Sequence, residues 1–270
     1  MPLARGDRES THMADFRKVE DSWTKAMALN VAAWTDVSVA ALGVQTFSNE
    51  VLWWRKPGGS PIYLSAIVTD PNGADDVFHS HLRRVETEWG TEAVSLWDCW
   101  ALRDLSRMGF KRQGVEPWYL RHPSPLRRNF RSPAGLSIET VTNPMELAEF
   151  EEASWDGFEM KGAAREVGRF GQHAPGTLGD EGMHYLIARL NGRVVASTIA
   201  YATTDMLGIY GISTLPGFRR RGYATALVRA AVSLRSDLPV SVQPTPESVP
   251  TYTDAGFVPT GRVAAWRNQT

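Results

Sequence analysis

The chain has 270 residues, 43% of them hydrophobic and 22% charged, and a formal net charge of −1. This composition fits a folded globular protein rather than a disordered one, and the length suits one large domain or two of ordinary size. A near-neutral chain without a long basic run argues against a nucleic-acid partner. No apolar run approaches the roughly 18 residues that span a membrane, and the lone Cys99 permits no internal disulfide and fits a reducing cytoplasm.

Residues 1–14 are polar, lack the apolar core of a signal peptide, and read as a loose tail. From Phe16 to about Trp34, Val19, Trp23, Met27 and Val31 recur every four residues, the spacing of an amphipathic helix. Two strand-like runs then flank Pro57-Gly58-Gly59 as a hairpin. Asp75 to Trp89 reads as a helix with Val77, Phe78, Leu82 and Val85 on one face, stopped by Gly90. The strand Ala93–Ala101, a short helix ending at Gly109 and a strand through Val115–Leu120 complete this half. Cys99 lies in an apolar run and reads as a buried, inert thiol. Residues 123–135, rich in proline and basic residues, read as an interdomain linker.

The second half opens with a strand from Leu136, then a helix capped by Thr142 or Asn143 with Pro144 in its first turn. Residues 159–182 are glycine-rich and irregular. Two strands follow, joined by Asn191-Gly192, a strong hairpin signal because both residues tolerate positive φ. A strand runs from Met206 to the turn Leu215-Pro216-Gly217. Three arginines, Arg219, Arg220 and Arg221, then lead to Gly222, which opens an amphipathic helix to Val232. A strand that ends in a basic, glycine-containing turn and feeds a helix is suited to hold an anion, because the first helical amides have no partners within the helix. A further strand, a short helix over Val249–Ala255 and a last strand from Arg262 follow. The two halves share one element order, with Gly109-Phe110 and Gly256-Phe257 at matching places, and read as an internal duplication.

The segment Arg219-Arg220-Arg221-Gly222-Tyr223-Ala224 fits a loop of Gln or Arg, two residues, Gly, one residue, then Gly or Ala. Tyr252 is separated by three residues from Gly256-Phe257. With the hairpin upstream, these features make Leu136 to Trp266 resemble the GNAT superfamily of acyl-CoA-dependent N-acyltransferases. The resemblance implies an α/β (α+β mixed-sheet) fold of two tandem GNAT-like domains, each a mostly antiparallel sheet flanked by helices. The domain reading is a tail at 1–14, a degenerate copy at 15–122, a linker at 123–135 and a coenzyme-binding catalytic domain at 136–270. The acyl donor implied is acetyl-CoA, and the acceptor an amine of a small molecule or peptide.

On this resemblance the backbone amides of Arg221, Gly222, Tyr223, Ala224 and Thr225 cradle the pyrophosphate, with Arg219 and Arg220 adding charge. Ile212, Thr214 and Leu215 pair with the pantetheine arm. Tyr252 takes the place of the phenol that protonates the departing thiolate. Direct attack by a neutral amine requires no metal. The strand before the loop carries no carboxylate, so Tyr210 is its only group able to bond a proton-relay water and the general base is unassigned. Trp155, Asp156 and Glu159, at the end of an acidic helix face, are the candidate acceptor-binding residues. The first half lacks the loop pattern and has Leu105 where the second half has Tyr252, so it is expected to serve as scaffold or as one wall of the acceptor site. Eight of the ten tryptophans lie in that half, a distribution read as core and interface packing. The expected protein is cytoplasmic, free of nucleic-acid and membrane partners, and monomeric or homodimeric. A non-catalytic acyl-CoA sensor or interaction module is the alternative.

Overall fold

In a computed structural model of the chain, the described residues are 6–73, 75–126 and 130–268, and the side chains of 6–21 and 163–164 are not described. The first helix, α1 (Gly6–Ala41), begins inside the stretch expected to be a tail and continues past Trp34. Its buried face is set by Met27, Val31, Thr35 and Val39, four residues apart and each at most 1% exposed.

Strands β1 (Thr46–Ser48), β2 (Leu52–Arg55) and β3 (Ala66–Val68) follow. The first predicted strand is divided in two because the Asn49 carboxamide accepts from the Val51 and Leu52 amides, both at 2.9 Å, and turns the chain. Helix α2 (Asp75–Trp89) buries Phe78, Leu82, Val85 and Trp89. Val77, expected on that face, lies off this stripe and is 45% exposed. After β4 (Ser95–Asp98) the predicted short helix is an irregular segment ending in one 3-10 turn, Ser106–Met108. There the Asp98 carboxylate accepts from the amides of Trp100 and Arg103 and bends the backbone out of helical geometry. Strand β5 (Phe110–Arg121) closes this half.

The second half contains β6 (Leu136–Thr140), α3 (Pro144–Gly157), α4 (Ala163–Glu166), β7 (Met183–Leu190), β8 (Arg193–Ala202), β9 (Leu207–Thr214), α5 (Tyr223–Leu234), β10 (Val240–Val242), α6 (Val249–Asp254) and β11 (Val258–Asn268). Asn143 is the cap of α3, its side chain accepting from Met145 and Glu146 at 3.0 Å. Asn191 and Gly192 form the two-residue turn between β7 and β8, at φ 49° and 85°.

All eleven strands form one sheet in the order β1-β2-β3-β4-β11-β5-β10-β9-β8-β7-β6. The order places the last strand of each half in the other half. Strand β5 pairs with β10, and β11 pairs with β4, while β5 and β11 pair with each other in the middle. The cores follow this exchange. Tyr119 of β5 joins the cluster beneath α5, and Ala264 and Trp266 of β11 join the cluster beneath α2. Burying Trp266, 3% exposed, contributes about 2 to 3 kcal/mol relative to leaving it in water. The expected division at 123–135 therefore falls between segments whose strands interleave. Helix α1 packs on the opposite face, against Ile67, Trp118, Leu120 and Val263, and α3 covers β7 and β8 on that face.

Candidate active site

The turn between β9 and α5 is built around positive φ. Arg220 has φ 61° and Gly222 has φ 83°. A Cβ at Gly222 would meet only the Pro133 ring at an ordinary 3.6 Å, so it is the left-handed backbone that calls for glycine here. No side chain caps α5, and its first internal bond runs from the Ala226 amide to the Gly222 carbonyl at 3.0 Å. The amides of Tyr223, Ala224 and Thr225 are thus free of partners within the helix, and left-handed residues before them turn successive N–H groups into one concavity. Its charge is positive. Arg220 and Arg221 are exposed and form no ion pair among the described residues. The Arg221 guanidinium stacks on Phe218 at 5.7 Å, as Arg193 does at 5.2 Å.

Below this concavity β9 and β10 run parallel only from Leu207–Val240 to Ile209–Val242. From Tyr210 to Thr214, β9 continues alongside β8 alone, so its other edge has no strand partner. The β8 ladder is itself interrupted. Ile199 pairs with Tyr210 and Ser197 with Ser213, leaving Gly211 and Ile212 opposite the single residue Thr198, a bulge in which Gly211 has φ 55°. The gap between the strands opens into a cavity of about 310 Å³. Tyr252 from α6, 1% exposed, and Gln243 line it on the β10 side, and Trp34, Trp97, Trp118 and Phe158 complete it. Burial holds the Tyr252 phenol well above the ordinary tyrosine range, so it stays protonated near neutral pH.

Residues 146–238, which span α3 through the concavity to the end of α5, match the model of the Acetyltransferase (GNAT) family. The chain contains a GNAT acetyltransferase domain. Solved structures share the fold well beyond that segment. A GCN5-related N-acetyltransferase from Kribbella flavida has a TM-score of 0.64 at 15% identity, covering 89% of this chain and 96% of that one. A GNAT-family protein from Novosphingobium aromaticivorans has a TM-score of 0.56 at 16% identity, over 90% of this chain and 99% of that one. A GCN5-related N-acetyltransferase from Sphaerobacter thermophilus has a TM-score of 0.51 at 16% identity, over 75% of this chain and 71% of that one. No curated protein shows a significant sequence match to the chain.

Within the GNAT domain the residues singled out in the sequence fall into three groups. Arg220, Arg221 and Gly222 form the turn and Tyr223, Ala224 and Thr225 the first turn of α5, and Ile212, Thr214 and Leu215 follow or end the open edge of β9. Arg219 is turned elsewhere. Its guanidinium donates to the Gly157 carbonyl at 2.8 Å and the Thr214 carbonyl at 3.2 Å, and pairs with Glu159 at 2.9 Å, so it fastens the loop to the end of α3.

Tyr210 lines the cavity with its ring, which stacks on Trp34 at 4.1 Å between centroids. Its hydroxyl donates to Asn30 of α1, and Asn30 in turn donates to the Tyr201 and Met206 carbonyls, both at 3.1 Å. The phenol is committed to a buried network that joins α1 to β9. Trp155, Asp156 and Glu159 do not meet the cavity. Trp155 is buried, with Arg165 stacked on it at 5.7 Å, and Asp156 pairs with that same Arg165 at 2.9 Å. Only Phe158 of this segment reaches the cavity.

Sequence reasoning did not single out Trp34, Trp97, Trp118 and Gln243. Three tryptophans of the first half form the far wall of the site, which goes beyond the packing role expected for them. Their convergence depends on the exchanged strand order, for which no local spacing gives a signal. Among the described residues, no carboxylate or histidine lines the cavity, and no group of three or more His, Cys, Asp or Glu could hold a metal ion. Cys99 is buried, and its thiol is pushed well above the usual range by that burial. No described helix is long and apolar enough to cross a membrane.

Proposed function

We propose that the chain is an N-acetyltransferase that moves the acetyl group of acetyl-CoA to an amine of a small molecule or peptide by direct attack. The observation that carries this reading is the continuity of three features: the concavity before α5, the open edge of β9 and the cavity holding Tyr252. The pyrophosphate would sit on the amides of Tyr223, Ala224 and Thr225, with Arg220 and Arg221 supplying charge-assisted bonds. The pantetheine arm would add to β9 from Ile212 to Leu215, as extended ligands add to exposed strand edges. The thioester carbonyl would then lie beside the bulge at Gly211 and Ile212, whose backbone is released from the ladder and available to a developing oxyanion.

Tyr252 acts at the sulfur. An ordinary thiol titrates at about 8.5, and the Tyr252 phenol lies well above an ordinary tyrosine. Complete transfer of its proton to a thiolate is therefore uphill. Its role is to donate a hydrogen bond to sulfur as the C–S bond breaks, while the proton lost by the attacking nitrogen ends on the thiol. Tyr210 serves as part of the cavity wall. The reaction is placed in the cytoplasm, where the buried Cys99 stays reduced. A thiol-release assay with acetyl-CoA and a panel of amines tests the proposal, which predicts amine-dependent release. Binding of acetyl-CoA without release to any amine would favour the alternative of a non-catalytic acyl-CoA sensor. The absence of a carboxylate in the cavity supports that second reading.

A further inference from the structure

We infer that the acceptor is a small aromatic amine, one whose nitrogen is already neutral at physiological pH and whose ring stacks among Trp34, Trp97 and Trp118. The inference rests on the acetyltransferase reading and deepens it. Three observations converge. The first is the wall itself: Trp97 and Trp118 meet edge to face at 6.0 Å, Trp34 lies stacked on Tyr210, and Phe158 covers the cavity from α3. Trp118 is only 2% exposed and Tyr210 covers one face of Trp34, so Trp97, half-buried and perpendicular to Trp118, is the face on which a planar ring would stack, with the other two rings meeting its edges.

The second observation is the missing base. Among the described residues, the only titratable groups lining the cavity are Tyr210 and Tyr252. The Tyr210 hydroxyl already donates a hydrogen bond to Asn30, and burial keeps both phenols protonated. An alkyl ammonium, with a pKa near that of lysine, about 10.4, is neutral in only about one molecule in a thousand near pH 7. It would need a base that this cavity does not present, and it would meet no carboxylate to offset its desolvation. An aromatic amine needs neither, because its lone pair is delocalised into the ring and its nitrogen is unprotonated at neutral pH.

The third observation is size. A cavity of about 310 Å³ stands at the lower end of the roughly 300–1,000 Å³ found for small-molecule sites. It suits one ring beside a thioester rather than a multi-ring polyamine. The Gln243 carboxamide, which makes no side-chain hydrogen bond among the described residues, lines the cavity with Ser241, Thr245 and Ser248, and these polar groups are available to bond a ring substituent. In the transfer the nitrogen forms a bond to the acetyl carbon as the C–S bond breaks. The nitrogen's proton ends on sulfur, giving an N-aryl acetamide and free CoA.

The test compares kcat/KM for aniline and p-anisidine with cyclohexylmethylamine and putrescine, with acetyl-CoA saturating. The aromatic amines should be favoured at least about tenfold, with a rate that stays flat from about pH 6.5 to 8.5. Trp97→Leu should lower kcat/KM for the aromatic amines about tenfold while acetyl-CoA affinity is unchanged, and Trp97→Phe should restore most of it. Preference for the alkyl amines, with a rate rising tenfold per pH unit, would overturn the acceptor assignment and leave the acetyltransferase standing. Bound acetyl-CoA with no thiol released to any amine would overturn both.

Discussion

The sheet contains two strand–turn–helix units of the same topology, β9 into α5 and β3 into α2, and their turns carry opposite charge. The α5 turn has Arg219, Arg220 and Arg221 and an uncapped helix start. The α2 turn is followed by Asp75 and Asp76 in the first helical turn. Its space is also filled from within. The Arg103 guanidinium pairs with Asp75 at 2.7 Å, donates to the Pro71 carbonyl at 3.2 Å and stacks on Phe78 at 4.1 Å. Carboxylates at a helix start favour that helix by interacting with its dipole, and for the same reason they repel phosphate. The parallel extends to the ends of the halves. The Phe110 amide bonds the Leu105 carbonyl at 3.2 Å, just as the Phe257 amide bonds the Tyr252 carbonyl at 3.1 Å. One geometry thus presents a leucine in one half and a phenol in the other. On the proposed function, the shared backbone does not carry the chemistry; the side chains at the turn and before the Gly-Phe pair would.

The sharpest way to break this contrast is at Gly222. Gly222→Asp places a carboxylate at the start of α5 on a left-handed residue, and should weaken acetyl-CoA binding by at least about a hundredfold in calorimetry. An unchanged affinity would remove the turn from the coenzyme site. Tyr252→Phe, which makes the second half resemble the first at Leu105, should lower kcat about a hundredfold with little effect on coenzyme affinity. Equal turnover would mean that Tyr252 serves packing alone.

The contact between the halves offers a pH test. His173 is buried and held at about 3 by desolvation, and its Nδ1 lies 3.1 Å from the Tyr63 hydroxyl. The unfolded chain binds a proton at this residue near 6.5, above the folded value. The stabilisation is therefore fully present above about pH 6.5 and is lost as pH falls towards 3. Acid unfolding of His173→Gln should show a shallower slope over that window; an identical slope would place the acid sensitivity elsewhere. Tyr63→Phe removes the bond from its hydroxyl to the Gln172 carbonyl at 2.8 Å, and should destabilise the protein by about 1 to 2 kcal/mol in denaturant unfolding. The smallest effect on the coenzyme is expected for Arg103→Ala. It should lower stability by about 1 kcal/mol and leave acetyl-CoA affinity unaltered. A change in affinity would show that the first half takes part in binding coenzyme.

What the sequence revealed is what depends on local chemistry. The Asn191-Gly192 turn, the Asn143-Pro144 cap and the Arg219-to-Gly222 turn each depend on a few adjacent residues, and the structure places all three where their chemistry calls for them. The open edge of β9 and the cavity depend on long-range pairing, with β5 and β11 exchanged between the halves. That exchange brings Trp118 into the lining of one cavity with Tyr252 and Ile209, and no periodicity within either segment encodes it. The acidic pair Asp156 and Glu159 lies outside the lining of this cavity for a related reason. Both face arginines, Arg165 and Arg219, whose proximity arises only from the folded ends of α3 and the turn before α5.

The central claim of the proposal is that the second half of the sheet binds coenzyme and the first does not. Titration of acetyl-CoA into the intact chain tests it most directly. The account predicts one site per chain, lost in Gly222→Asp and retained in Arg103→Ala. Two sites per chain, or one site that survives Gly222→Asp, would contradict it.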